Sequence, residues 1–176
     1  RHTDQGWEPY PVPGLVKADV TAIAQDDEGT LWVATEGEGV FRIQEETVEH
    51  FTVEDGLASD TVLSVLVDSD GVVWLGTRDG GLSRYHDGTW QTFTVADGLG
   101  SNCIASIVED PYGTLWLAHS DVFSSCKGGV TRYDGKRWRV FNSANSGLPD
   151  DYVHTVALTP EGHILFGTDL WFTRYI

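Results

Sequence analysis

The side chains of this sequence best suited to chemistry are the carboxylates Asp60, Asp121, Asp151 and Asp169. Two carboxylates facing each other across a sugar can act as acid and base, or as acid and nucleophile, in glycoside hydrolysis. The six histidines (His2, His50, His86, His119, His154 and His163) share no recurring position and no metal-ligand spacing. A His-centred nucleophile pair or zinc site is therefore not written in the spacing. With 27 acidic residues in 176, some carboxylates cluster by chance, so a glycan-active enzyme using rim carboxylates is the weakest reading. Acidic residues near the starts of three inner strands (Asp19, Asp60 and Asp151) could hold a central calcium or magnesium ion through oxygen ligands. No other cofactor is expected.

The formal net charge of -16 sets the partners. Nucleic acid and anionic membrane surfaces are repelled, which leaves cationic or neutral ligands. No apolar run reaches membrane-spanning length and no signal peptide is visible, so direct membrane insertion is not expected. The sequence contains no Met, which implies a processed or excised chain. Cys103 and Cys126 allow one disulfide, with two free thiols as the alternative.

The elements that position these groups are repeats. D-D-E-G-T-L-W-V-A-T at 26–35 returns as D-S-D-G-V-V-W-L-G-T at 68–77, as D-P-Y-G-T-L-W-L-A-H at 110–119, and as T-P-E-G-H-I-L-F-G-T at 159–168. The anchor glycines Gly29, Gly71, Gly113 and Gly162 are spaced by 42, 42 and 49 residues. Such periods suit the four-stranded blade of a β-propeller. In the second copy, T-V-L-S-V-L-V reads as a strand buried on both faces. Asp68 to Gly71 makes a turn, Val72 to Thr77 a second strand, Leu82 to Tyr85 a third, and Trp90 to Val95 a half-exposed outer strand. The prediction is an all-β propeller of four-stranded antiparallel blades forming a single domain over 1–176. The blades are placed at about 19–53, 61–95, 103–142 and 152–176.

Trp32, Trp74, Trp116 and Leu165 hold one second-strand site and are expected to fill the gaps between blades. Arg42, Arg84, Arg132 and Arg174 hold one third-strand site and are expected to pair with acidic turn residues. The last copy ends after its third strand. G-W-E-P-Y-P-V at 6–12 matches the outer strand of the second copy, with Trp7 at the Trp90 site and Tyr10 at the Phe93 site. This N-terminal strand is expected to complete the fourth blade and close a ring. The alternatives are self-association of two chains into a ring of eight blades, or a fragment of a larger ring.

The connections into the inner strands share one face with the second-to-third-strand turns. This upper rim varies in length and chemistry while the strands do not, which is what a binding face needs. The ligand-contact candidates are Asp60, Arg78, Asp79, Asn102, His119, Asp121, Phe123, Asp151, Asp169 and Trp171. The third copy's turn, H-S-D-V-F-S-S-C-K at 119–127, is six residues longer than that of the second. A Cys103–Cys126 disulfide would pin it, as suits a secreted context.

The pattern I/V-x-x-D-x-x-G-x-L-W-x-G/A-T-x-x-G-G-L/V-x-R-Y, followed by G-L-x-S-D/N, closely resembles the two-component regulator propeller repeat, over nearly the whole chain. The resemblance implies a β-propeller used as the extracytoplasmic, ligand-sensing part of bacterial hybrid two-component sensors, many of them for glycans. The expected function is non-catalytic recognition of a small or glycan-like ligand on the upper rim. The alternative is a structural or protein-interaction propeller with no small ligand.

Overall fold

The computed structural model describes Gly6, Val12, residues 18–120 and residues 126–175. Each repeat folds as a meander. The first is β1 (Val20–Gln25), β2 (Leu31–Thr35), β3 (Val40–Gln44) and β4 (Thr47–Phe51). The second is β5 (Val62–Val67), β6 (Val73–Thr77), β7 (Leu82–His86) and β8 (Thr89–Phe93). The third is β9 (Ser106–Glu109), β10 (Leu115–His119), β11 (Gly129–Tyr133) and β12 (Trp138–Phe141). The fourth has three described strands, β13 (Val153–Leu158), β14 (Ile164–Thr168) and β15 (Phe172–Tyr175). Every strand pair is antiparallel, and sheet order follows chain order within each blade. Inner strand packs on inner strand in sequence, β1 on β5, β5 on β9 and β9 on β13. The inner strand of the third blade starts at Ser106, later than the expected start of that blade near 103. The N–H of Ile104 instead reaches across to the Thr77 carbonyl of the second blade (2.9 Å).

The turn aspartate explains the repeat motif. In the second blade Asp68 Oδ1 accepts the N–H groups of Asp70 (3.0 Å) and Val72 (2.8 Å), while Oδ2 accepts the indole N–H of Trp74 (2.7 Å). Gly71 supplies the left-handed residue that closes this turn (φ 76°). Asp110 repeats the arrangement on Tyr112, Thr114 and the Trp116 indole N–H (3.0 Å). One carboxylate thus shapes the hairpin and orients the ring that follows.

Each ring then spans a blade boundary. Trp32, Trp74 and Trp116 stack on the outer-strand phenylalanine of their own blade, Phe51, Phe93 and Phe141, at 6.1, 6.1 and 6.0 Å. Each also meets the third-strand tyrosine of the next blade, Tyr85, Tyr133 and Tyr175, at 5.2, 6.1 and 4.8 Å. The core is accordingly a series of inter-blade clusters, with Trp32 beside Leu75, Trp74 beside Leu117, and Trp116 beside Phe166.

The recurring arginine behaves differently from the expectation. Arg42, Arg84 and Arg132 each lie 5.8 Å from the ring centroid of their own blade's tryptophan. Among the described residues only Arg132 reaches a turn carboxylate, Asp134 at 3.9 Å, and Arg42 pairs with Glu49 on the adjacent outer strand at 2.8 Å. A planar guanidinium gains more from covering an indole at a half-buried site than from a solvent-exposed ion pair.

The N-terminal strand at 6–12 lies outside the described residues except Gly6 and Val12. Val12 packs against Val33, Phe41 and Ile43, on the face of the first blade turned away from the second. At the other end of the row, Phe172 is 79 % exposed, although its counterparts Val40, Leu82 and Val130 are wholly buried.

The turn carboxylate is a stability determinant with a measurable signature. Asp68→Ala leaves two backbone N–H groups and one indole N–H without their acceptor, and is expected to cost about 2–3 kcal/mol in urea denaturation. Asp70→Ala, on the exposed side of the same turn, is expected to stay within about 0.5 kcal/mol.

Candidate functional site

The upper rim is organised by the residue that follows each second strand. These are Glu36, Arg78, Ser120 and Asp169, equivalent positions of the four repeats. Arg78 Nη1 donates to Glu36 Oε1 at 2.8 Å, joining the first and second blades. Ser120 Oγ lies 2.7 Å from His154 Nδ1, and His154 Nε2 lies 2.5 Å from Asp169 Oδ1, joining the third and fourth. Because a carboxylate only accepts, Nε2 carries the proton donated to Asp169, and Nδ1 accepts from the Ser120 hydroxyl. His154 is available because the β13–β14 register shifts between Val153 and Thr155, which re-aims the intervening side chain.

A serine, a histidine and an aspartate in one hydrogen-bonded line have the composition of a nucleophilic triad. Ser120 is, however, wholly buried, so a substrate carbonyl has no approach to its oxygen. The line is a brace across a blade boundary, with a half-buried imidazole and a more exposed carboxylate at its open end.

The other candidates divide by what their polar atoms do. Asp60, Asn102 and Asp151 occupy equivalent joints. Their side-chain oxygens accept the N–H of Val53 (2.9 Å), Val95 (3.0 Å) and Ser143 (2.6 Å). Their carbonyls accept N–H groups from the rim turn of the preceding blade, at Gly37 and Gly39, Gly81, and Gly128 and Gly129. These three residues fasten one blade to the next. Asp79 is exposed on the rim beside Arg78. Trp171 is 73 % exposed and sits two residues from Asp169 on the fourth rim turn. Asp121 and Phe123 lie outside the described residues.

His119 does not face the rim as the sequence suggested. It is wholly buried, with Nδ1 2.9 Å from the Cys103 carbonyl and Nε2 2.6 Å from Thr131 Oγ1. Thr131 Oγ1 in turn accepts the N–H of Gly100 (3.0 Å). The position is occupied by Thr35, Thr77 and Thr168 in the other blades. There the hydroxyl donates to the carbonyl of a residue three or four places on, at 2.6–2.8 Å. The longer third turn moves that partner away, and an imidazole reaches across the blade instead. Burial without a compensating charge lowers the His119 pKa to about 4, against a weaker opposing effect of the Cys103 carbonyl.

Cys103 and Cys126 form a disulfide with Cα atoms 6.1 Å apart, tying the end of the third rim turn to the start of its own blade. Glu36, Ser120 and His154 are the rim residues absent from the candidate set. Glu36 and Ser120 were legible by aligning them on Arg78, and His154, which the sequence allows to approach the rim, sits at a register shift that recurs around Thr21 and Leu63 in the first two blades. Among the described residues no three His, Cys, Asp or Glu side chains are grouped to hold a metal ion.

A cleft of about 820 Å³ opens on the opposite face, between the first and second blades, where Asp26, Asp68, Asp70 and Asp87 line it. Its acidic groups are partly spent on the protein itself. Glu109, for example, accepts both the N–H and the hydroxyl of Ser69 at 2.8 Å.

Comparison with known proteins places this geometry. The profile of the two-component regulator propeller matches residues 14–37, 56–79 and 98–121. The chain superposes on the extracellular domain of the hybrid two-component system BT3049 from B. thetaiotaomicron with a TM-score of 0.75 at 26 % identity, over 89 % of this chain and 21 % of that one. The extracellular domain of BT4673 from the same organism gives 0.71 at 20 % identity, over 93 % and 21 %. Virginiamycin B lyase from Staphylococcus aureus gives 0.65 at 17 %, over 89 % and 55 %, a likeness of fold. The chain thus spans about a fifth of the length of the two sensor domains. No curated protein matches it. No helix among the described residues is long and apolar enough to cross a membrane.

The buried imidazole predicts the acid limb of stability. His119 stays neutral in the folded chain, whereas the unfolded chain takes up its proton below the ordinary value near 6.5. The contribution is therefore present above about pH 6.5 and is lost as the pH falls toward 4. His119→Gln keeps a polar side chain that does not titrate. It is expected to flatten the fall in stability between pH 6.5 and 4 by on the order of 2–3 kcal/mol, read by urea melts across that range.

Proposed function

We propose, from the match of residues 14–37, 56–79 and 98–121 to the two-component regulator propeller, that the domain is a non-catalytic recognition module, working outside the cytoplasm as part of a hybrid two-component sensor. It binds a small or glycan-like ligand on the upper rim. The observation that carries this reading is the fourth rim turn. There the exposed Trp171 ring stands beside Asp169, whose carboxylate is oriented by His154. A flat apolar ring next to an oriented acceptor is the pairing that recognises a sugar, the ring by stacking on its C–H face and the carboxylate by taking its hydroxyls. Arg78 and Asp79 extend the polar surface along the same rim. A non-catalytic role fits the burial of Ser120 and the structural use of Asp60 and Asp151, which removes them as opposed acid and base. A calcium or magnesium ion in the central channel remains a separate proposal, read by calcium-dependent thermal melting.

A protein-interaction propeller is the second reading. It is favoured by Leu170 and Phe172, exposed on either side of Trp171.

A panel of neutral and cationic oligosaccharides, screened by calorimetry against the wild type, Trp171→Ala and Asp169→Asn, separates the readings. The expected result is a binder whose affinity falls about 10-fold or more on loss of the ring, from stacking worth roughly 1–2 kcal/mol. Binding unchanged in both variants, or no binder at all, favours the interaction propeller. Turnover of any sugar in the panel favours an enzyme.

A further inference from the structure

The cleft on the face opposite the rim breaks the pattern of the wedge tryptophans. In the second and third blades the indole N–H is taken by the turn carboxylate, 2.7 Å from Asp68 and 3.0 Å from Asp110. The first blade has the same two residues at the same spacing, Asp26 and Trp32. Asp26 Oδ1 accepts the N–H groups of Glu28 (3.0 Å) and Thr30 (2.8 Å), as its counterparts do. Among the described residues, however, Asp26 Oδ2 accepts nothing and the Trp32 indole N–H has no acceptor. Trp32 is 2 % exposed, and it lines the cleft beside Asp26. Its Nε1 is not sealed in, and opens onto the cleft that the ring lines. A nearly buried donor that opens onto a cleft needs its acceptor there.

A second ring repeats the difference. Tyr133 donates its hydroxyl to the Gly135 carbonyl in the turn after β11 (3.0 Å). Its counterpart Tyr85 lines the cleft, and among the described residues its hydroxyl has no such bond. The turn after β7 is instead closed at Asp87 and Gly88, both left-handed (φ 48° and 75°). The mouth of the cleft is acidic on both sides. Asp27 and Glu28 come from the first blade, Asp70 and Asp87 from the second. Among the described residues the carboxylates of Asp27, Glu28 and Asp70 accept no hydrogen bond. The two basic side chains of the cleft are engaged already. Arg42 pairs with Glu49 (2.8 Å), and His86 lies 3.4 Å from Asp87.

We propose that this cleft is a second binding site, separate from the rim, for an amine-bearing sugar. The ammonium groups meet the carboxylates of the two walls. A hydroxyl or ring oxygen accepts from the Trp32 indole and the Tyr85 hydroxyl, and Asp26 Oδ2 takes a hydroxyl or ammonium proton. A simple polyamine matches the charge but offers the indole no acceptor. A neutral sugar offers the acceptor but leaves the carboxylates unpaired. The volume of about 820 Å³ is that of a small-molecule site. Hairpin turns form the mouth, whereas a peptide that adds to a sheet needs a strand edge.

Calorimetry on the full chain carrying Trp171→Ala, which removes the rim ring, isolates this site from the one proposed above. The probe is the glucosamine trimer. It is expected to bind at a single site, with spermidine and the N-acetylated trimer each about 10-fold weaker or more. Tyr85→Phe keeps the ring of the boundary cluster and removes a hydroxyl that the protein leaves unused. It is expected to lower affinity for the trimer about 5-fold, and Asp70→Asn about 3-fold. Glu54→Gln removes the same charge from the exposed connection into β5, on the rim face, and is expected to leave affinity unchanged. Spermidine binding as tightly as the trimer, or equal losses for Asp70→Asn and Glu54→Gln, means diffuse attraction to a chain of net charge -16 and overturns the proposal. Trilysine binding more tightly than the trimer assigns the cleft to a basic peptide and overturns the sugar. No binding of the trimer, or an affinity indifferent to Tyr85→Phe, overturns the site itself.

Discussion

The indoles of the first three blades' second strands, Trp32, Trp74 and Trp116, hold this molecule together. A single blade has two apolar faces and no core of its own, so it is stable only between neighbours. The tryptophan solves this by reaching out of its sheet into the gap, where it touches its own blade's phenylalanine and the next blade's tyrosine. Its position is not left to packing alone. The turn aspartate grips the indole N–H in the second and third blades, and the third-strand arginine covers the ring's open side. A ring held at its edge and face by charged groups keeps one orientation, so the blade-to-blade geometry is repeated rather than improvised.

That constraint frees the rim. Since stability resides at the blade boundaries, the turns above them can change length and chemistry without loss of the fold. The third turn is longer and is tied down by a disulfide. The fourth exposes Leu170 and Trp171 where the second has glycines. The rim nevertheless has an order of its own. The positions after the second strands bridge adjacent blades, by an ion pair between Glu36 and Arg78 and by a hydrogen-bond line through His154. A ligand touching Asp169 therefore touches a group coupled to the third blade. Recognition at the fourth blade can in this way be felt across a boundary.

The fourth blade departs from the pattern in ways that belong together. Leu165 replaces the tryptophan, Phe172 stands exposed where Val40, Leu82 and Val130 are buried, and Arg174 has no indole beneath it. These are the marks of a blade whose boundary conditions differ from those of the other three.

The repeat, the four-strand meander, the turn glycines and the wedge role of the tryptophans were all legible in the sequence. Each is a local consequence of residue type and spacing, and spacing survives translation from one copy to the next. The disulfide was legible as one of two options, and the geometry of the third blade selected it. What the sequence could not decide was the direction and company of single side chains. His119 looks like a rim residue by position, but it lies in the interior, because the carbonyl and hydroxyl that satisfy it come from strands distant in sequence. Asp60, Asn102 and Asp151 look like free polar groups, yet they bind the backbone of turns seven or eight residues away. Ser120, His154 and Asp169 lie on two blades and meet only because a strand irregularity turns one imidazole sideways. Periodicity reports which face a residue occupies. Which polar atom finds which partner is settled only when separate blades are pressed together and every buried donor must be satisfied.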